Sequence, residues 1–191
     1  MRRLLLMTAT LPLALFVVGG LTTAEARDWR MIKDGSTLAF TFRQMGSAVR
    51  GRFDDFTTDI TFAPDDLDDA SVTTEIAIDS VDTGNAERDA GIVGEDWFDT
   101  ATFPTARFES TDFEHQGGDT YRVTGELTVR DITEVVELPM TIDIDGDRAT
   151  ATGSIELDRR SFEVGRGDWA TDTAVGYDVV LEIEVVAEAA D

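Results

Sequence analysis

Residues 134–157 read E-V-V-E-L-P-M-T-I-D-I-D-G-D-R-A-T-A-T-G-S-I-E-L. Val136, Leu138, Met140, Ile142 and Ile144 fall on every second position, and after Asp145-Gly146 the rhythm resumes with Ala149, Ala151, Ile155 and Leu157. Successive side chains of a strand point to opposite faces, so a period of two marks a strand with one face in a core. An Asp-Gly pair between two such runs signals a tight hairpin, because the favoured turns need positive φ. The stretch is therefore two long antiparallel strands sharing one apolar face.

The same rhythm spreads outward from this hairpin. Trp29 to Ile32 is a short first strand, and Ser36 to Met45 places Leu38, Phe40 and Phe42 on one face. Val72, Ile76 and Ile78, then Tyr121, Val123, Leu127 and Val129, and finally Val179, Leu181, Ile183 and Val185 mark further strands. Between residues 48 and 62 the apolar parity changes, from Val49 and Phe53 to Phe56, Ile60 and Phe62. A slip of one residue exchanges the faces of a strand, so a bulge or bend near Asp54-Asp55 is expected. Gly51 is expected at a close approach or a barrel bend. This makes about eight strands of about ten residues, each spanning roughly 33 Å. They are joined mostly by turns, with no Pro/Ser-rich linker and no longer repeat. A sheet of that size packs against a second sheet or closes on itself. Long strands with a bulge and glycines at bends favour an all-β antiparallel up-and-down barrel, either filled by side chains or holding one small ligand.

One stretch departs from the rhythm. From Gly84 to Ser110 a turn-like Gly84-Asn85 is followed by Ile92 and Val93, a helical turn before Trp97 and Phe98, and by Phe103-Pro104, which discourages further helix. It reads as one short helical insertion with an aromatic clasp, a lid or plug for what the strands enclose.

Residues 1–26 read as a removable export signal. Met1-Arg2-Arg3 is basic, Leu4 to Leu21 is mainly apolar, and Ala24-Glu25-Ala26 has the small-x-small form of a cleavage site. The mature domain is then 27–191, long enough for one core, and its expected location is a bacterial periplasm. Cysteine is absent, so neither disulfides nor thiolate chemistry contribute. Without Arg2, Arg3 and Glu25 the net charge of −23 becomes −24. Such a surface repels nucleic acid and anionic headgroups.

Reactive constellations are scarce. His115 is the single histidine and sits in a glycine-rich turn. Asp143-x-Asp145-Gly146-Asp147 has glycine at the fourth place, whereas a calcium loop needs it at the sixth. No Gly-x-Ser-x-Gly or phosphate-cradling loop occurs. Three basic features stand out: Arg88 beside Asp89, Arg159-Arg160 after Asp158, and Arg50 and Arg52 around Gly51. Each either neutralises acidic neighbours or belongs to a polar collar at a barrel mouth.

Several motifs, in order, carry a family resemblance: Ser80-Val81-Asp82-Thr83-Gly84, Arg88-Asp89, Asp96-Trp97-Phe98-Asp99, Phe103-Pro104 and Phe108-Glu109-Ser110. Gly125-Glu126-Leu127-Thr128-Val129-Arg130, Val136-Glu137-Leu138-Pro139 and Leu157-Asp158-Arg159 before Phe162 continue the series. Over the whole mature chain this resembles the YceI-like family, exported proteins associated with binding polyisoprenoid or other long-chain lipids. Gly91, Asp131 and the segment 158–163 depart from the family pattern at places expected near the mouth. The resemblance implies a lipocalin-like barrel with an elongated apolar interior, lined by Phe40, Phe42, Phe53, Phe56, Ile92, Trp97, Phe98, Phe108, Leu127, Leu181 and Ile183. It implies a polar mouth of Arg88, Asp89, Asp158 and Arg159.

The expected ligand is an isoprenoid-type or other long-chain lipid, such as a quinone or polyprenyl compound. Contact with the membrane would be transient, and no metal, cofactor or catalytic residue is expected. Two alternatives stand beside this one. One is a hydrolase or isomerase of such a lipid, using Asp89, Asp96 or Asp158 as acid or base. The other is a filled, stress-related interaction barrel. The leader carries its own prediction: intact-mass measurement of exported protein should find a chain beginning at Arg27, and a membrane-bound product retaining Met1 would refute the cleavage.

Overall fold

The computed structural model describes residues 26–190, so the expected leader lies outside them apart from Ala26. Eleven strands form one sheet that closes on itself, and pairing shows why eleven strands make eight staves. β1 (Arg27–Met31) and β2 (Thr37–Gln44) both run antiparallel to β11 (Val175–Ala189), as at Trp29↔Ala189 and Leu38↔Ile183. They are one stave interrupted by the short 3-10 turn Lys33–Gly35. β3 (Ser47–Phe53) pairs with β2 and β4 (Phe56–Ala63) with β1, a second stave broken at Asp54-Asp55. β5 (Asp66–Ala77) pairs with β4 and β6 (Val81–Asp82) with β3, a third stave. The remaining five are β7 (Thr105–Gly117), β8 (Thr120–Val129), β9 (Ile132–Asp145), β10 (Arg148–Asp158) and β11. Every stave neighbours its successor, and β11 returns to β1 and β2. The fold is a closed, eight-stave, antiparallel up-and-down barrel, as the alternation predicts.

The bends fall where the parity changes. Phe53 and Phe56 are both buried although three residues apart, because Asp54-Asp55 leaves the ladder between them. A second shift, between Ser110 and Asp112, turns both Phe108 and Phe113 toward the interior. The β9–β10 hairpin differs by one residue from the reading of Asp145-Gly146. Asp145 pairs with Arg148, so the turn residues are Gly146 and Asp147, with Gly146 at φ 63°. Glycine in the first turn position accepts that left-handed conformation without strain.

The direction of the staves sorts the connections into two ends. At one end lie the Met45-Gly46 and Arg130-Asp131 turns, the helix α1 (Ala86–Ile92) with the turns after it, and the segment 159–174. At the other lie the turns at Pro64-Asp65, Gly118-Asp119 and Gly146-Asp147, with both ends of the described chain. Trp29, Phe62, Phe113 and Tyr121 plug this far end. The Trp29 indole donates to the Phe62 carbonyl at 3.0 Å, and Phe62 meets Tyr121 edge-on at 5.3 Å. Burial raises the pKa of the Tyr121 phenol.

Gly51 does sit at a close approach. A Cβ there would lie 2.5 Å from Phe40 Cζ and 3.0 Å from Thr83 Cγ2. Phe40 packs between Phe42 and Phe53, with ring centroids at 6.1 and 5.2 Å, so its ring has little room to give. Replacing a strand glycine by alanine ordinarily stabilises through the unfolded chain, but overpacking reverses the sign here. Gly51→Ala should lower unfolding free energy by about 1–3 kcal/mol in urea titration; a stabilised variant would show that the phenyl ring yields.

Candidate functional site

The barrel is not filled. A chamber of about 450 Å³ lies at the helical end and a second of about 150 Å³ lies toward the plugged end. The larger one falls within the range of about 300–1,000 Å³ usual for small-molecule sites. Phe40, Phe42, Phe53, Ile92, Trp97 and Phe98 line the larger chamber, and Phe56, Phe108 and Ile183 line the smaller. Leu127 and Leu181 line both. The structure thus brings all eleven apolar side chains expected inside the barrel onto the walls of one interior. It adds Leu38 and Ile76, which also face both chambers.

Over the larger chamber lies the lid. Asn85 caps α1, its side-chain oxygen accepting from Arg88 N at 2.9 Å, which satisfies one of the free donors at a helix start. The helix ends at Ile92, earlier than a helix carrying Trp97 and Phe98 would. Gly94 N instead bonds the Gly91 carbonyl at 3.0 Å, and Asp99 takes a φ of 49°. Trp97 and Phe98 are therefore carried on linked turns. Val93 packs against the core cluster but does not line the chamber.

Two arginines hold this end together, and the sequence singled out neither for that task. Arg130, in the β8–β9 turn, donates to the carbonyls of Glu95, at 3.1 Å, and Trp97, and its guanidinium lies 3.9 Å from Asp99 Oδ2. Arg159 is only 4% exposed. Its guanidinium donates to six backbone carbonyls, those of Val164, Gly165, Trp169, Thr171, Val175 and Gly176, at 2.7–3.2 Å. Burial lowers its pKa from the ordinary value. Among the described residues it makes no carboxylate ion pair. The segment it gathers meets the lid directly: Gly165 N and Arg166 N donate to the Asp96 carbonyl at 2.9 and 2.7 Å, and the Trp169 ring packs tilted against Trp97 with centroids 5.6 Å apart.

The four residues expected to form a polar mouth part company. Arg88 is at the opening, on the chamber wall with Gln44, Asn85 and Glu87, and donates to Gln44 Oε1 at 3.0 Å. Asp89 turns away and accepts from Thr83 N and Oγ1 at 3.0 and 2.6 Å, bracing α1 against β6. Asp158 caps the next turn and pairs with Arg160; hydrogen bonding from Arg160 lowers its pKa below the usual carboxylate range. Arg159 reaches the chamber wall, but backbone carbonyls take up its guanidinium. Arg50 and Arg52 lie on the outside, paired with Glu182 and with Asp54 and Asp82.

Sequence reading missed Phe162, Val164, Trp169 and Val175, which complete the chamber wall. The signal was present: Val164-Gly165-Arg166-Gly167-Asp168-Trp169 is a second stretch that breaks the alternation. His115 is exposed and bonds the Gly118 carbonyl at 2.7 Å. Among the described residues no three carboxylate or imidazole groups converge as metal ligands.

A closed antiparallel barrel with an apolar chamber, plugged at one end and lidded at the other, has lipocalin-like architecture. The chain belongs to the YceI-like family, whose domain matches residues 29–187. A UPF0312 protein of Pseudomonas aeruginosa (strain LESB58) is 33% identical over 160 residues, covering 79% of this chain and 82% of that one. The crystal structure of Burkholderia cenocepacia BcnA superposes with a TM-score of 0.79 at 30% identity, over 82% of this chain and 98% of that one. A polyisoprenoid binding domain from Saccharophagus degradans, implicated in plant cell wall breakdown, shares the fold with a TM-score of 0.68 at 14% identity. That likeness covers 87% of this chain and all of that one.

The Arg159 cluster predicts its own fragility. Arg159→Met keeps the apolar stem and leaves six carbonyls without their donors, so urea unfolding should show a loss of at least about 2 kcal/mol. Arg159→Lys should do little better, because one ammonium cannot span that set. A lysine variant as stable as the parent would show that the planar fork is dispensable.

Proposed function

We propose that this protein is an exported, non-enzymatic carrier that binds a long-chain isoprenoid-type lipid, such as a polyprenyl compound or a quinone, inside the barrel. The observation that carries the reading is the lidded chamber of about 450 Å³, walled mainly by aromatic and aliphatic side chains, its few polar lining residues being Gln44, Asn85, Glu87, Arg88 and the carbonyl-bound Arg159. Burying a methylene from water gains about 0.8 kcal/mol, so a long hydrocarbon chain does not cross an aqueous compartment bare. Relative to a bilayer the gain is near zero. An interior about as apolar as lipid therefore permits both loading and release. The polyisoprenoid-binding neighbour supports the ligand class, and the basic, apolar, Ala-x-Ala start supports export to a periplasm.

Turnover of the lipid finds less support. Asp89 and Asp158 are engaged by Thr83 and Arg160, and neither they nor Asp96 line a chamber. A general acid or base has to come within hydrogen-bond reach of its substrate. The filled interaction barrel conflicts with the open interior.

Native mass spectrometry of protein purified from a bacterial host should detect retained lipid, and labelled vesicles should deliver it to emptied protein. Leu127→Gln, on both chamber walls, should reduce the bound lipid while the barrel stays folded. Trp97→Ala should speed exchange with vesicles, since it removes the large aromatic contact between lid and Trp169. Wild-type protein that retains no lipid and takes none from vesicles would sink the proposal.

A further inference from the structure

The barrel wall is not stitched to the same depth all the way round. β8 and β9 are joined by ten residue pairs and β10 and β11 by eleven, but β9 and β10 by six, from Asp145↔Arg148 to Met140↔Gly153. Beyond that pair, toward the lid, both strands run on with one neighbour each. β8 holds Ile132–Pro139 and β11 holds Ser154–Asp158. The sequence explains the parting. Ile142 N donates to the Asp119 carbonyl, on the β8 side. Main-chain groups alternate in direction along a strand, so those of Pro139, Glu137, Val135 and Thr133 face β10. Proline has no N–H to give to a ladder and belongs at a strand edge. Continued in the register of Met140↔Gly153, Glu137 would face Glu156, and like charges directly opposite oppose pairing. Glu137 lies instead 3.9 Å from Arg122 of β8. One proline removes one bond, yet pairing does not resume at Glu137, Val136 or Val135. The β5–β7 ladder is also short, but its break lies toward the plugged end, where Ser110 Oγ bridges it by accepting from Val72 N at 2.8 Å. No such stitch spans β9 and β10 among the described residues.

We propose that hydrocarbon chains enter and leave this barrel sideways, by the parting of β9 and β10 beneath the lid. This rests on the lipid-binding reading and adds the route. Behind the unpaired stretch lie Val136 and Leu138 of β9 and Ile155 and Leu157 of β10, all four on chamber walls. Met140↔Gly153 is the foot of the slot, and the 3-10 turn Arg159–Phe162, which comes back beside β9, is its head. Between them Ser154–Asp158 spans roughly 17 Å of strand. Parting two staves elsewhere breaks a ladder of main-chain bonds; here it separates side chains. A long chain then crosses the wall along its length and need not thread end-on past Arg88.

Cysteine is absent, so Glu137→Cys with Glu156→Cys puts the only two thiols of the protein across the slot. Joined by a bis-maleimide, they should slow loading of a radiolabelled polyprenol from phosphatidylcholine vesicles at least about tenfold. The control joins Val135→Cys to Glu126→Cys, which face one another on β9 and β8, and should load as the unaltered protein does. A cross-linked slot that loads as fast as this control overturns sideways passage and leaves lipid binding standing. Where the cross-link does not form, Pro139→Val with Glu156→Lys decides. It returns a donor and an opposite charge to the seam and should slow loading in the same way; an unchanged rate overturns the route. Should neither variant fold, amide exchange in the unaltered protein decides. Thr133, Val135 and Glu137 should exchange faster than Glu134, Val136 and Leu138, and equal protection overturns the slot. Protein that takes up no polyprenol in any form sinks the lipid reading itself, and this inference with it.

Discussion

β11 closes the barrel, and everything inside depends on that seam. On one side its residues Asp178 to Glu188 pair with β10 in unbroken register from Asp158 to Arg148. On the other side it meets β2 and then β1, which together make the first stave. An open sheet of this size would leave two long edges exposed to pairing with other chains. Closure removes them, and it also defines an interior volume that the inward side chains do not fill. The outward positions are free to be polar, so strong acidity and an apolar chamber coexist in one sheet.

A void of this kind costs dispersion energy that a filled core would gain, so the surrounding structure has to be held by something other than interior packing. The two ends solve this differently. At the far end Trp29, Phe62, Phe113 and Tyr121 interlock as an aromatic plug. At the lidded end the segments that close the chamber are tied by arginine to backbone carbonyls, Arg130 under the lid and Arg159 under the segment beside it. Backbone-directed bonds fix main-chain shape, Arg159 doing so from the chamber wall itself. They hold the rim open where a packed core would fill it.

Alternation was easy to read, because a period of two survives any tertiary context that leaves one face buried. It located the staves, and the parity break between Phe53 and Phe56 located the bend at Asp54-Asp55. The hairpin at 145–147 slipped by one residue because glycine serves in either central position of a tight turn. The lid was legible as a departure from alternation but not in shape: Gly91 and Gly94 allow the chain to leave the helix before Trp97. Whether the barrel is hollow was illegible, since a filled barrel and a hollow one demand the same apolar alternation. Arg159 was the hardest. As one of a basic pair after an aspartate it looks like a solvated rim charge, and its role depends on carbonyls up to 17 residues away that only the folded loop assembles.

The placement of Arg159 also bears on how the lid can move. A buried cation without a counter-carboxylate is tolerated only while its donors are satisfied, so the segment 164–176 cannot swing away without exposing it. The lid proper is less constrained. α1 is held by Asp89, which accepts from Thr83, and by Arg88, which donates to Gln44 Oε1 and to the Thr83 carbonyl. Those anchors lie near the surface, where water can replace a lost partner at small cost. The clamp on the Asp96 carbonyl and the Trp97–Trp169 contact tie the far side of the lid to the rigid segment. The Arg88 side of the lid is thus tied by side-chain bonds near the polar rim, and the aromatic side by main-chain bonds to the Asp96 carbonyl.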